Sequence, residues 1–114
     1  MKITFPNNKF GRTLNEYSRT IKKHGQLLAD KIHQRFENIR AFRTLYDLID
    51  SKIGRCHELK GKYEEHFGVS LTKNWRLIFK PDYTKEDLPR KTDGGIDIKK
   101  VDRIEVVSVE DYHE

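Results

Sequence analysis

The chain contains one cysteine, Cys56, so no disulfide can close within it and no zinc site built from several thiolates can form. That usage fits a reducing compartment. No apolar run approaches the ~20 residues needed to span a bilayer. The opening "MKITFPNNKF" lacks the apolar core of about 7–15 residues that marks a secretory signal. The expected location is therefore cytoplasmic, with no membrane partner. Repeats and low-complexity tracts are absent. Hydrophobic residues make up only 35% of the 114, so the core must rest on a few large side chains drawn from six Phe, five Tyr, one Trp and the branched aliphatics. A chain of this length fits a single domain over 1–114.

What is abundant is charge. Lys and Arg number 23 against 18 Asp and Glu, a net charge of +5. A small basic domain favours polyanions such as nucleic acid, or an acidic partner.

The N-terminal half reads as helical after one short strand. "KITF" at 2–5 is β-like and ends at Pro6, and "NN" at 7–8 can cap a helix. Phe10, Leu14, Tyr17 and Ile21 recur at helical spacing until Gly25, behind a basic last turn "KKH". Leu28, Ile32, Phe36 and Ile39 form the apolar stripe of a second helix. Phe42, Leu45, Leu48 and Ile49 continue the pattern to about Ile53, as one bent helix or two, and Gly54 closes it.

The period then changes to two. "RCHELK" at 55–60 is a short strand candidate. Phe67, Val69 and Leu71 alternate with polar or small residues, and Trp75, Leu77 and Phe79 alternate with Arg76, Ile78 and Lys80, with "TKN" as a tight connection. Residues 81–101 read as a long polar loop, with a small hairpin at "DGG". "DRIEVVSVEDYH" at 102–113 is the last strand, with Glu105, Val107, Val109, Asp111 and His113 expected on one face and Ile104, Val106, Ser108 and Tyr112 on the other. Segregated helices and strands predict an α+β fold, an N-terminal strand and two to three helices packed on one face of a twisted antiparallel sheet.

Several groups are candidates for chemistry. His57 with Lys60 offers an acid/base beside a phosphate-binding cation, although a polar surface strand looks the same. Arg76 points away from the Trp75/Leu77/Phe79 face, where it is either solvated or a fork for phosphate. Asp111, Tyr112 and His113 can orient an imidazole, stack on a base and shuttle a proton, or simply fray. Lys22, Lys23, Lys31, Arg35, Arg40 and Arg43 form a basic helical face, solvated by default. Lys31, Arg35, Arg40 and Lys73 are candidate substrate contacts. His24, His33 and His66 match no metal-binding spacing and read as surface residues.

Taken in order, "LKG" at 59–61, "FGVSL" at 67–71, "NWRLIF" at 74–79 and "DYH" at 111–113 resemble the HigB toxins, plasmid maintenance system killer proteins within the RelE/ParE superfamily. The resemblance covers roughly 55 to 114. It implies an endoribonuclease that cuts mRNA on the ribosome without metal or other cofactor. It implies a HigA-like helix-turn-helix antitoxin as partner, and catalytic roles for His57, Lys60, Arg76, Asp111, Tyr112 and His113. The sequence departs from the family pattern at Gly68, where relatives often carry Ser, at Ser70 and Thr72, where Arg and Asn are common, and in its longer 81–101 loop. Two alternatives stand beside this one. They are a ParE-like gyrase-poisoning toxin, whose sheet should lack a proton-transfer set, and a non-catalytic RNA- or protein-binding module.

Overall fold

A computed structural model describes residues 1–112. The elements run β1 (Lys2–Thr4), α1 (Asn8–Asn15), α2 (Tyr17–His24), α3 (Gln26–Ala41), α4 (Leu45–Asp50), β2 (His57–Glu58), β3 (Phe67–Ser70), β4 (Trp75–Pro81) and β5 (Arg103–Asp111). The strands form one sheet in the order β1-β5-β4-β3-β2.

The helical half follows its capping signals. Asn7 accepts the Phe10 amide at 2.8 Å and starts α1. The first helical segment is not continuous, because Glu16 takes an extended conformation and splits it into α1 and α2. The buried Thr20 hydroxyl lies against that break, within bonding distance of the Thr13 carbonyl at 2.8 Å, the Glu16 carbonyl at 3.0 Å and His33 Nε2 at 3.1 Å. Gly25, at φ 82°, turns the chain from α2 into α3. The choice left open by periodicity resolves as two helices. α3 ends at Ala41, and Thr44 caps α4 through the Asp47 amide at 3.2 Å.

The core lies between these helices and one face of the sheet. Leu14, Leu28, Ile32, Phe36 and Ile39 meet Phe67, Val69, Leu77, Phe79, Ile104 and Val106. Phe67 and Phe79 stack across β3 and β4 with ring centres 5.8 Å apart. The 81–101 segment is more than a polar loop. It carries an Arg90–Ile96 bridge and a short helical turn at Ile98–Lys100, and it buries Ile96 and Val101 in the core.

Two expectations about the sheet need correction. β1 pairs parallel to β5, so only the other three pairings are antiparallel. More consequential is a bulge in β5. Ile78 pairs with Ser108, but Phe79 pairs with Val106, so Val107 is an extra residue that exchanges the two faces beyond it. Val109 and Asp111 therefore share the helix-side rows of Leu77 and Trp75. Ser108 and Glu110 fall in the rows of Ile78 and Arg76 on the other face. The strand candidate at 55–60 shortens to His57–Glu58, because positive φ at Lys52, Gly54 and Arg55 turns the chain tightly just before it.

Candidate active site

The face of the sheet away from the helices is where the chemistry-bearing residues collect. Arg76 enters it by strand alternation, since Trp75, Leu77 and Phe79 take the core side. Its guanidinium carbon lies 5.1 Å from the centre of the Tyr112 ring. The ring is held in place, with the Tyr112 hydroxyl 3.0 Å from Ser70 Oγ and its amide donating to the Asn74 carbonyl at 2.8 Å. Ser70 and Arg76 are direct cross-strand partners, so three strands converge on one cation. A rigid guanidinium laid on an aromatic plane presents its fork to an oxyanion with little ordering cost.

His57 joins the same face by register. It pairs with Gly68, which pairs with Ile78, which pairs with Ser108. His57 is exposed, and its Nδ1 lies 2.8 Å from the Arg55 carbonyl. A carbonyl only accepts, so Nδ1 carries the hydrogen and Nε2 is left as the basic nitrogen. Lys60 is exposed at the start of a covering strap, residues 59–66, built around the short helical turn Gly61–Tyr63. The strap closes on itself through the Leu59 amide and the His66 carbonyl at 2.8 Å. Leu59 lies over Gly68, where a Cβ would come within 3.3 Å of Leu59 Cδ2, so the glycine at that departure from the family pattern makes room for the strap.

Two neighbours of Arg76 have no counterpart among the sequence candidates. Glu110, its cross-strand partner, places Oε2 3.8 Å from Arg76 Nη2 and accepts the Tyr63 hydroxyl on Oε1. That hydrogen bond, with some burial, raises the Tyr63 phenol above its ordinary value. Glu110 could have been found from the two-residue spacing with Ser108 and Tyr112. Tyr63 sits in an irregular turn, and no pattern in the sequence marks it.

Asp111, Lys73 and the α3 cations are placed elsewhere. Asp111 pairs with Trp75, in a helix-side row, and His113 lies outside the described residues. Lys73 is exposed in the β3–β4 turn, one residue from Asn74, which holds Tyr112. Lys31, Arg35 and Arg40 belong to α3, in the layer behind the sheet. Arg35 is committed to the fold, since its Nε donates to the Ser70 carbonyl at 2.8 Å and Nη1 to Asn38 at 3.2 Å. Arg40 covers the Phe36 ring and donates to Asn15 at 3.3 Å.

A concavity of about 510 Å³ opens beside β5, lined by Lys9, Thr13, Lys23 and His24 from the first two helices and by Ser108 and Val109 of the strand. Burial, with a smaller push from Lys23, holds the His24 imidazole below its usual value. Cys56 is buried, and burial pushes its thiol up to about 12, so it is no nucleophile at neutral pH.

Comparison with known proteins bears on the fold. No protein-family profile matches the chain, and no curated protein matches it in sequence. Among solved structures it resembles a YoeB/ParE toxin from Agrobacterium tumefaciens, at TM-score 0.57 and 13% identity, over 99% of this chain and 100% of that one. It also resembles the YoeB dimer from Staphylococcus aureus, at TM-score 0.54 and 18% identity, over 100% and 98%. A chain of the S. aureus YoeB-YefM complex gives TM-score 0.53 and 16% identity over the same shares. The chain thus has the α+β fold of YoeB/ParE-type toxins. The narrower HigB resemblance rests on its sequence motifs alone.

Proposed function

We propose that this chain, as one domain over 1–114, is the toxin of a type II toxin–antitoxin pair and acts in the cytoplasm as a metal-independent endoribonuclease on ribosome-bound mRNA. The observation that carries the reading is Arg76 stacked on Tyr112, on the sheet face that His57 shares by register. Metal-free RNA cleavage uses the 2′-oxygen as nucleophile on the adjacent phosphorus. The 2′-hydroxyl gives up its proton, the 5′-oxygen leaves and takes one, and a cyclic phosphate remains. That chemistry needs a base, an acid and cations against the charge that builds on phosphorus. His57, whose Nδ1–H is taken by the Arg55 carbonyl and whose Nε2 is the basic nitrogen, suits proton transfer, and His113 is assigned the complementary role by its motif. Arg76 and Lys60 supply charge, Tyr112 supports the guanidinium or a base, and the 2′-hydroxyl accounts for RNA over DNA. The S. aureus YoeB neighbour occurs in a complex with YefM, which supports an antitoxin partner here, of HigA-like type by the sequence motifs.

Induced expression with mRNA 5′-end mapping tests this. Wild-type chain should arrest growth and create new 5′ ends, and Arg76→Ala should lose both, by roughly 10²-fold or more in cleavage, the scale of one positioned charge-stabilising donor. Growth arrest with unchanged mRNA ends would refute the nuclease and favour a gyrase-type target.

A further inference from the structure

Tyr63 and Glu110 take no part in the scheme above, yet they stand against its cation. A carboxylate and a guanidinium on a partly dry surface ordinarily close into a fork with N···O distances of about 2.7–2.9 Å. Arg76 and Glu110 are direct cross-strand partners, a spacing that brings β-carbons to about 4.5–5.5 Å and leaves both side chains ample reach. Their side chains are 23% and 28% exposed, and yet the pair stands at 3.8 Å. Arg76 Nε is buried with no acceptor among the described residues. What differs from an ordinary pair is that the other oxygen of Glu110 accepts the Tyr63 hydroxyl.

We propose that Tyr63 is a positioning residue that holds the Glu110 carboxylate off Arg76, and so keeps the guanidinium donors for an outside oxyanion, a phosphate or phosphodiester. The proposal rests on the reading of Arg76 as a phosphate contact. The strap gives Tyr63 the leverage. Leu59 fixes one end over Gly68, and at the other Glu65 takes a two-pronged bond from Arg90 at 2.6 and 2.9 Å, which ties the strap to the 81–101 segment. Anchored at both ends, the strap sets where the phenol stands, and through it where the Glu110 carboxylate rests. Its raised pKa keeps it a donor throughout the neutral range. Without that hydroxyl, Glu110 is free to fold onto Arg76 and act as a built-in competitor.

The Arg76 Nε–Hε resonance, titrated with inorganic phosphate, reads this without any cleavage assay. Tyr63→Phe should weaken phosphate binding roughly tenfold, the worth of about one charge-assisted hydrogen bond. Tyr63→Phe/Glu110→Gln should restore wild-type affinity or better, and Glu110→Gln alone should bind no more weakly than wild type. Equal affinity in Tyr63→Phe and wild type would overturn the proposal and leave Arg76 as a phosphate contact. A double variant as weak as Tyr63→Phe would also overturn it, since Tyr63 would then act by some route other than Glu110. A wild-type resonance blind to phosphate would overturn it as well, while 5′-end mapping judges the nuclease separately.

Discussion

At the scale of single residues, His24 carries a pH prediction. Its folded-state pKa is lowered, so the unfolded chain binds that proton more readily. The resulting stability is full above the ordinary value of about 6.5 and is lost as pH falls through it toward the lowered value. Thermal melts between pH 7.5 and 5 should therefore show wild type losing more stability than His24→Gln. Parallel losses would remove His24 from the account. Within the site, strand alternation makes Arg76 legible in the sequence, because Trp75, Leu77 and Phe79 claim the core side around it. Tyr112 belongs to a sequence motif, but its contact with Ser70 joins residues 42 positions apart and leaves no local pattern. Arg35 shows the converse. On a helical wheel it is one more basic surface residue, yet it commits two donors to Ser70 and Asn38.

At the scale of elements, helices with clean stripes were legible, and irregular geometry was not. α3 follows Leu28, Ile32, Phe36 and Ile39. The bulge at Val107 has no signature, because "IEVVSV" satisfies either register, and one extra residue was enough to move Val109, Asp111 and Ser108 across the sheet. The parallel pairing of β1 escaped for another reason, since its partner lies about a hundred positions away and pairing distance leaves no mark on local pattern. The tight turn before β2 supports a prediction. Gly54 has φ 62°, and a Cβ there would stand 2.4 Å from Val69 Cγ2 and 2.9 Å from Arg35 Nε. Gly54→Ala should cost roughly 2 kcal/mol or more, from the strained conformation and overpacking together. Denaturant midpoints would measure it, and a loss within experimental error would mean that the turn relaxes freely.

At the scale of the molecule, the cations of the helical layer divide by what engages them. Arg35 and Arg40 of α3 are taken up by the fold, whereas Lys9 of α1 and Lys23 of α2 line the concavity beside β5, next to the strand that carries Glu110. Replacing Lys9 and Lys23 with Ala should flatten the salt dependence of RNA binding by about 0.7 per lost single-strand phosphate contact. Arg35→Ala should lower the melting temperature and leave the slope alone. The opposite pattern would return the RNA path to α3. β5 has a consequence of another kind. It lies between β1 and β4, yet it follows every other strand in the chain. Until residues 103–112 dock, β1 lacks its partner strand, and Arg76 lacks both Tyr112 and Glu110. Such long-range closure is slow among small proteins. Closure of the sheet and completion of the Arg76 surroundings are therefore one event, and both wait on the same strand.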